Sequence, residues 1–155
     1  TDAFIALLVS NKEALVYVCN GEEEIYEWFR GNISDPENFS LKNGYSAEVV
    51  GKFDGSLFKG SVKLTDGSTH AFSAAPNSGN ETGIFQVYGD LAAQEEVVAG
   101  WILNNKNEER GSFRLKNVFQ STPSKPKTST ISFKNNSFSI QRYTSWHPDS
   151  ISVVK

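Results

Sequence analysis

The chain has 155 residues, a net charge of −3, 38% apolar side chains, a single cysteine and no methionine. That length suits one domain with one substantial core, and a lone Cys19 excludes both a disulfide framework and a cysteine-rich zinc site. The longest apolar run covers only residues 3–9, which excludes a membrane-spanning helix, and ten-residue strands with an apolar lipid face are hard to find.

In chain order, residues 3–9 read as a strand buried on both faces, answered across Ser10-Asn11-Lys12 by a second strand at 14–19. Asn20-Gly21 signals another hairpin turn before the strand-like run 25–29, with Glu22-Glu23-Glu24 as a solvated loop at that turn. Residues 31–39 have loop chemistry, and Pro36 forbids a central strand there. Three Asx-Gly pairs follow, Asn43-Gly44, Asp54-Gly55 and Asp66-Gly67. Each dipeptide supplies the positive φ angles of a two-residue hairpin turn, so residues 45–74 read as consecutive antiparallel strands. In 57–64, Phe58, Val62 and Leu64 share one face while Lys59, Ser61 and Lys63 share the other, the alternation of a sheet with one wet side.

Residues 76–82 form a second loop and 84–88 a strand. The stretch 90–96 reads as a helical turn or a polar hairpin loop. Strands at 97–103 and 111–115 then bracket the polar loop 104–109. The segment 121–128 is linker-like, with two prolines and no apolar side chain. Beyond it, 130–133 and 138–143 bracket a final hairpin turn, and 151–154 reads as one last strand after the break at His147-Pro148-Asp149-Ser150.

Charge is uneven along the chain. Residues 1–115 carry 9 basic against 17 acidic side chains, a net of −8, and residues 116–155 carry 6 against one, a net of +5. A basic C-terminal extension (119–155) packed as a hairpin on an acidic body (1–118) is therefore expected, within a single domain overall. An anionic partner is the alternative use of that charge, with Lys125, Lys127, Lys134, Arg142 and Trp146 as its surface. The acidic body argues against nucleic acid.

Catalytic and cofactor motifs are absent from the sequence: no phosphate loop, dinucleotide fingerprint, nucleophile elbow or calcium loop occurs. His70 and His147 stand far from any metal-ligand spacing, and His70 lies in phase with Phe72 and Ala74, as an inward-facing histidine would. No catalytic residue, metal site or cofactor is assigned. Trp28 and Trp101 either plug the core or line a ligand cavity, which Phe58 and His70 would help to form. Cys19, within a strand-like run, reads as a buried inert thiol.

Tyr17-Val18-Cys19-Asn20-Gly21, then Trp28 and Gly31, then Gly100-Trp101-Ile102 resemble a pattern in uncharacterised bacterial proteins of exported type, over about the first 115 residues. The resemblance implies export and brings no activity with it. The Thr-Asp start and the missing methionine fit either removal of a signal peptide or trimming, and the sequons at Asn32, Asn38, Asn80 and Asn135 add weak support for a secreted or periplasmic location.

The expected fold is all-β: a mostly antiparallel meander forming a small barrel or a barrel-like sandwich, with a C-terminal hairpin extension. The leading function is a non-enzymatic binding module for a small apolar or amphiphilic ligand. A protein–protein or surface-attachment module acting through the exterior or the basic tail is the alternative, and a hydrolase with an unrecognised site ranks third.

Overall fold

Fourteen strands and no helix make up the described part of the chain, a computed structural model. The structure describes all residues except 78–81, 92–94, 116–117, 121–124, 126, 128, 134–135 and 144–155. Strands β1 (Phe4–Val9), β2 (Glu13–Asn20) and β3 (Ile25–Asn32) form one antiparallel sheet. A second sheet joins β4 (Asn38–Lys42), β5 (Glu48–Phe53), β6 (Phe58–Lys63) and β7 (Thr69–Ala74) in chain order. The third contains β8 (Gly83–Leu91), β9 (Glu95–Leu103), β10 (Glu109–Leu115), β11 (Val118–Gln120) and β14 (Gln141–Tyr143), in the order β11-β10-β9-β8-β14. A two-stranded hairpin of β12 (Thr130–Phe133) and β13 (Asn136–Ser139) completes the fold.

The meander does not close into a barrel. β3 approaches β4, and β1 approaches β7, yet neither pair is hydrogen-bonded. The sheets stack instead, and the side-chain period of two shows how. In β2, Ala14, Val16 and Val18 pack with Phe39, Leu41, Val49, Val62 and Leu64 of the second sheet. The alternate residues Leu15, Tyr17 and Cys19 pack with Ile84, Ile102 and Tyr143 of the third. The outer face of the third sheet, with Val87, Ala99, Trp101 and Phe113, is covered by Phe138 of β13. The β1–β3 sheet is thus a central layer, which is why seven consecutive residues of β2 are buried. Each fully buried Val, Leu or Phe contributes roughly 1.5–3 kcal/mol.

All three Asx-Gly pairs close hairpins, but not as two-residue Asx-Gly loops. The Asp54 amide donates to the Leu57 carbonyl at 3.0 Å, so the loop residues are Gly55 and Ser56, with Gly55 at φ 95°. The Gly67 amide donates to the Leu64 carbonyl at 3.0 Å around a longer loop, with Gly67 at φ 89°. At the Asn43 turn the positive φ falls on Ser46, at 69°. In each turn the Asx side chain accepts loop amides instead. Asp54 Oδ1 takes those of Ser56 and Leu57, Asp66 Oδ1 that of Ser68, and Asn43 Oδ1 those of Tyr45 and Ala47.

Of the two readings of 90–96, the hairpin holds, since β8 and β9 pair there with Leu91 opposite Glu95. One further expectation is corrected. The run 138–143 is two strands: β13 ends at Ser139, and β14 leaves to pair Gln141 with Gln86 and Tyr143 with Ile84 at the edge of the third sheet. β11 pairs with β10 across the expected boundary at 118. The expected strand 151–154 lies outside the described residues.

Candidate functional site

The four residues grouped above as a cavity lining are not brought together. Trp101 is fully buried in the core between the third sheet and the β12–β13 hairpin. Trp28 lies on the other side of that sheet, stacked on Tyr17 with ring centroids 3.9 Å apart. Phe58 belongs to the core between the first two sheets. Aromatic residues that composition groups together are separated here by whole sheets.

His70 is half-buried on β7 in phase with Phe72, as its spacing suggests. Its Nε2 lies 3.0 Å from Ser68 Oγ, and Ser68 Oγ donates to Asp66 Oδ1 at 2.7 Å. This is an Asp, Ser and His constellation with the wrong order for catalysis. A triad acid must orient the histidine, whereas Asp66 accepts the hydrogen bond of the serine hydroxyl and caps its own turn. The Ser68 side chain and backbone amide and the nearby His70 hold the Asp66 carboxyl below its ordinary range.

Two of the five residues expected to face an anionic partner make contacts within the fold. Lys125 Nζ sits 4.4 Å from the Phe85 ring centroid, and its backbone amide donates to Glu109 Oε1. Arg142 donates from Nε and Nη2 to the Thr82 carbonyl, at 3.2 and 2.7 Å, with its guanidinium 5.8 Å from the same ring. Lys127 is exposed, and Lys134 and Trp146 lie outside the described residues.

The feature that gathers apolar surface is a cleft of about 1180 Å³ along β1. β1 is an edge strand: β2 pairs with it on one side, and among the described residues no strand pairs with it on the other. All six of its residues are apolar, and all are half-buried on both faces, less than the full burial expected from sequence because the strand lies at an edge. Across the cleft stand Phe58 and Phe72 from the second sheet, and Ile84, Ile102 and Tyr143 from the third. The β9–β10 loop adds Lys106 and Glu108. Burial pushes the Tyr143 phenol above its ordinary value, against the opposing pull of Arg30, and its hydroxyl donates to Gln86 Oε1 at 3.0 Å.

One buried carboxylate escaped the reading from sequence. Glu27, on the inner face of β3, accepts from Asn43 Nδ2 at 2.7 Å and from the Thr65 amide at 3.0 Å. One carboxylate thereby ties together two of the three Asx-Gly turns. Its position in phase with Ile25 and Phe29 was the available signal. Cys19 is the buried thiol expected; burial pushes it up to about 12, and its Sγ lies 3.4 Å from the Arg110 carbonyl. No helix among the described residues is long and apolar enough to cross a membrane.

No protein-family model, curated protein or solved structure matches the chain.

Proposed function

We propose that the chain is a non-enzymatic binding module and that the cleft along β1 receives an elongated apolar or amphiphilic ligand. The observation that carries this reading is the six-residue apolar edge strand, half-buried on both faces and facing open space. Ligand sites commonly occupy roughly 300–1,000 Å³ with mostly apolar walls and a few polar groups, and a cleft of about 1180 Å³ is of that order. Its charged groups, Lys106 and Glu108, share one loop, so an amphiphile would place its headgroup there and its tail along β1. The site therefore moves from the residues singled out by composition to a set that includes only Phe58 among them.

A dansyl-labelled medium-chain fatty acid tests the reading. Saturable fluorescence enhancement is expected, weakened at least tenfold by Ala75→Trp, an exposed position in the cleft wall where a bulky ring fills space without disturbing the core. The reading fails if the probe does not saturate, or if Ala75→Trp and Leu7→Glu both bind it as the parent does.

A further inference from the structure

We infer that the ligand of this cleft is an extended polypeptide segment of another molecule, apolar on both faces, which enters the seam between β1 and β7 and pairs with β1 as an added strand. The inference rests on the binding site proposed above and names the chemical class of its ligand.

The hydrogen-bonding row of β1 is fixed by its turn. The Ser10 amide donates to the Glu13 carbonyl at 2.9 Å, which makes Ser10 a hydrogen-bonded position of the β1–β2 ladder. Such positions alternate in an antiparallel pair, so Phe4, Ala6 and Leu8 turn their backbone groups to β2, and Ile5, Leu7 and Val9 turn theirs to the free edge. No charge, proline or glycine blunts that edge. β7 is likewise an edge strand of its sheet among the described residues, and it approaches β1. The Leu64 amide donates to the Ser68 carbonyl at 2.9 Å, and the same alternation turns the backbone groups of Ala71 and Ser73 away from β6. All five outward-turned residues line the cleft. Apolar walls alone would suit a lipid tail. Two rows of backbone donors and acceptors single out a peptide, because strand addition satisfies such groups along their whole length.

The dimensions agree. A strand as long as β1 spans about 20 Å, takes about 4.8 Å across the sheet and about 10 Å between stacked layers, or roughly 1,000 Å³. The cleft holds about 1180 Å³. Its walls set the composition of the segment. Ile5 and Leu7 pack on the core that contains Phe58 and Phe72, whereas Ala6 and Leu8 pack on the one that contains Ile84 and Ile102. A strand that continues this layer has an apolar wall on each side, so both of its faces must be apolar, as both faces of β2 are. The β1 edge of a second copy is a poorer fit. β1 lies between walls from the second and third sheets, so two such edges are recessed alike and block each other's approach.

A fluorescein-labelled synthetic peptide of alternating valine and isoleucine, as long as β1 and flanked by lysines, tests this on the full chain. A saturable rise in anisotropy is expected, with displacement of the dansyl fatty acid. Two further peptides carry N-methyl groups on one or the other set of alternate amides, with the same side chains. The one whose methyls meet β1 should bind about tenfold more weakly or worse. Leu7→Pro removes one outward N–H of β1 and leaves the ladder to β2 intact. It should weaken the peptide about tenfold relative to Leu7→Ala, while the two variants bind the fatty acid alike. Equal affinity of all three peptides would overturn the inference, since apolar burial alone would then explain binding. So would a fatty acid that saturates beside a peptide that does not, an outcome that keeps the ligand site and ends strand addition. Dimers that form with rising concentration and are abolished by Leu7→Pro would assign the seam to a second copy and also overturn it. If neither probe saturates, the ligand site fails and the inference fails with it.

Discussion

The hydroxyl of Tyr17 donates a hydrogen bond of 3.1 Å to the carbonyl oxygen of Gly100, joining two layers through residues 83 positions apart. Glycine is required at 100 by this approach, since a Cβ there would lie 2.6 Å from both Cζ and Oη of Tyr17. The ring has nowhere to retreat, because Trp28 stacks on it and Tyr26 meets it edge-on. Gly100→Ala should cost about 1–3 kcal/mol by overpacking, and Tyr17→Phe about 1 kcal/mol for the lost hydrogen bond. Urea unfolding of both variants checks this; a Gly100→Ala midpoint equal to the parent's would refute the packing argument.

Among the described residues Trp101 is the largest fully buried side chain, set between the third sheet and the hairpin that carries Phe138. Trp101→Ala should cost on the order of 3–5 kcal/mol. Calorimetry reads it directly, and an unchanged melting temperature would contradict the layer assignment.

Glu27 tests whether a buried carboxylate organises the turns of the neighbouring sheet. Glu27→Ala removes the acceptor for Asn43 Nδ2 and the Thr65 amide. Hydrogen bonds to a charged group are worth about 1.5–3 kcal/mol each, so loss of the pair should cost about 3–6 kcal/mol, with faster exchange at the Thr65 amide. Glu27→Gln retains one acceptor and should fall between. Equal stabilities for Ala and Glu at position 27 would remove the clamp.

Alkaline pH should loosen the interface between the first and third sheets. Burial raises Cys19 from an ordinary 9.0 to about 12, and burial likewise raises Tyr17 well above its ordinary value. Below about pH 9 the folded and unfolded thiols both hold their proton, and the full stability is present. Above it the unfolded chain releases a proton that the folded chain keeps, so stability falls as pH rises toward 12. Urea midpoints from pH 7 to 11 should be flat and then decline, and Cys19→Ala should shallow the decline. A midpoint that rises above pH 9 would reverse the assigned direction.

Local chemistry was legible in the sequence. The Asx-Gly pairs marked three real hairpins, and the alternation around Phe58 and Val62 placed the wet and dry faces of β6 as observed. What local pattern could not reveal is the loop length, because an Asx side chain that accepts the loop amides fixes a turn as well as a positive φ does. Layering was also hidden. β2 is buried on both faces by two sheets made from residues far along the chain, and a continuous apolar run does not say what covers each side. The same gap explains why Trp28, Phe58 and Trp101 were grouped although sheets divide them. The cleft escaped notice because 3–9 is as apolar as a central strand, and only pairing shows that it is an edge.

The layered order also sets a timetable. The ladders of β1–β7 join only chain neighbours, so the first two sheets have every pairing they need once residue 74 has been made. The opposite face of the central layer, with Leu15, Tyr17 and Trp28, waits for β8–β10 to arrive. At roughly 5–20 residues per second of synthesis, residues 75–115 take about 2–8 s to appear. Until those strands arrive, the face that bears Tyr17, Tyr26 and Trp28 lacks its cover from the third sheet. A binding partner of that face, or a chaperone, has its opportunity then and loses it when Gly100 reaches Tyr17.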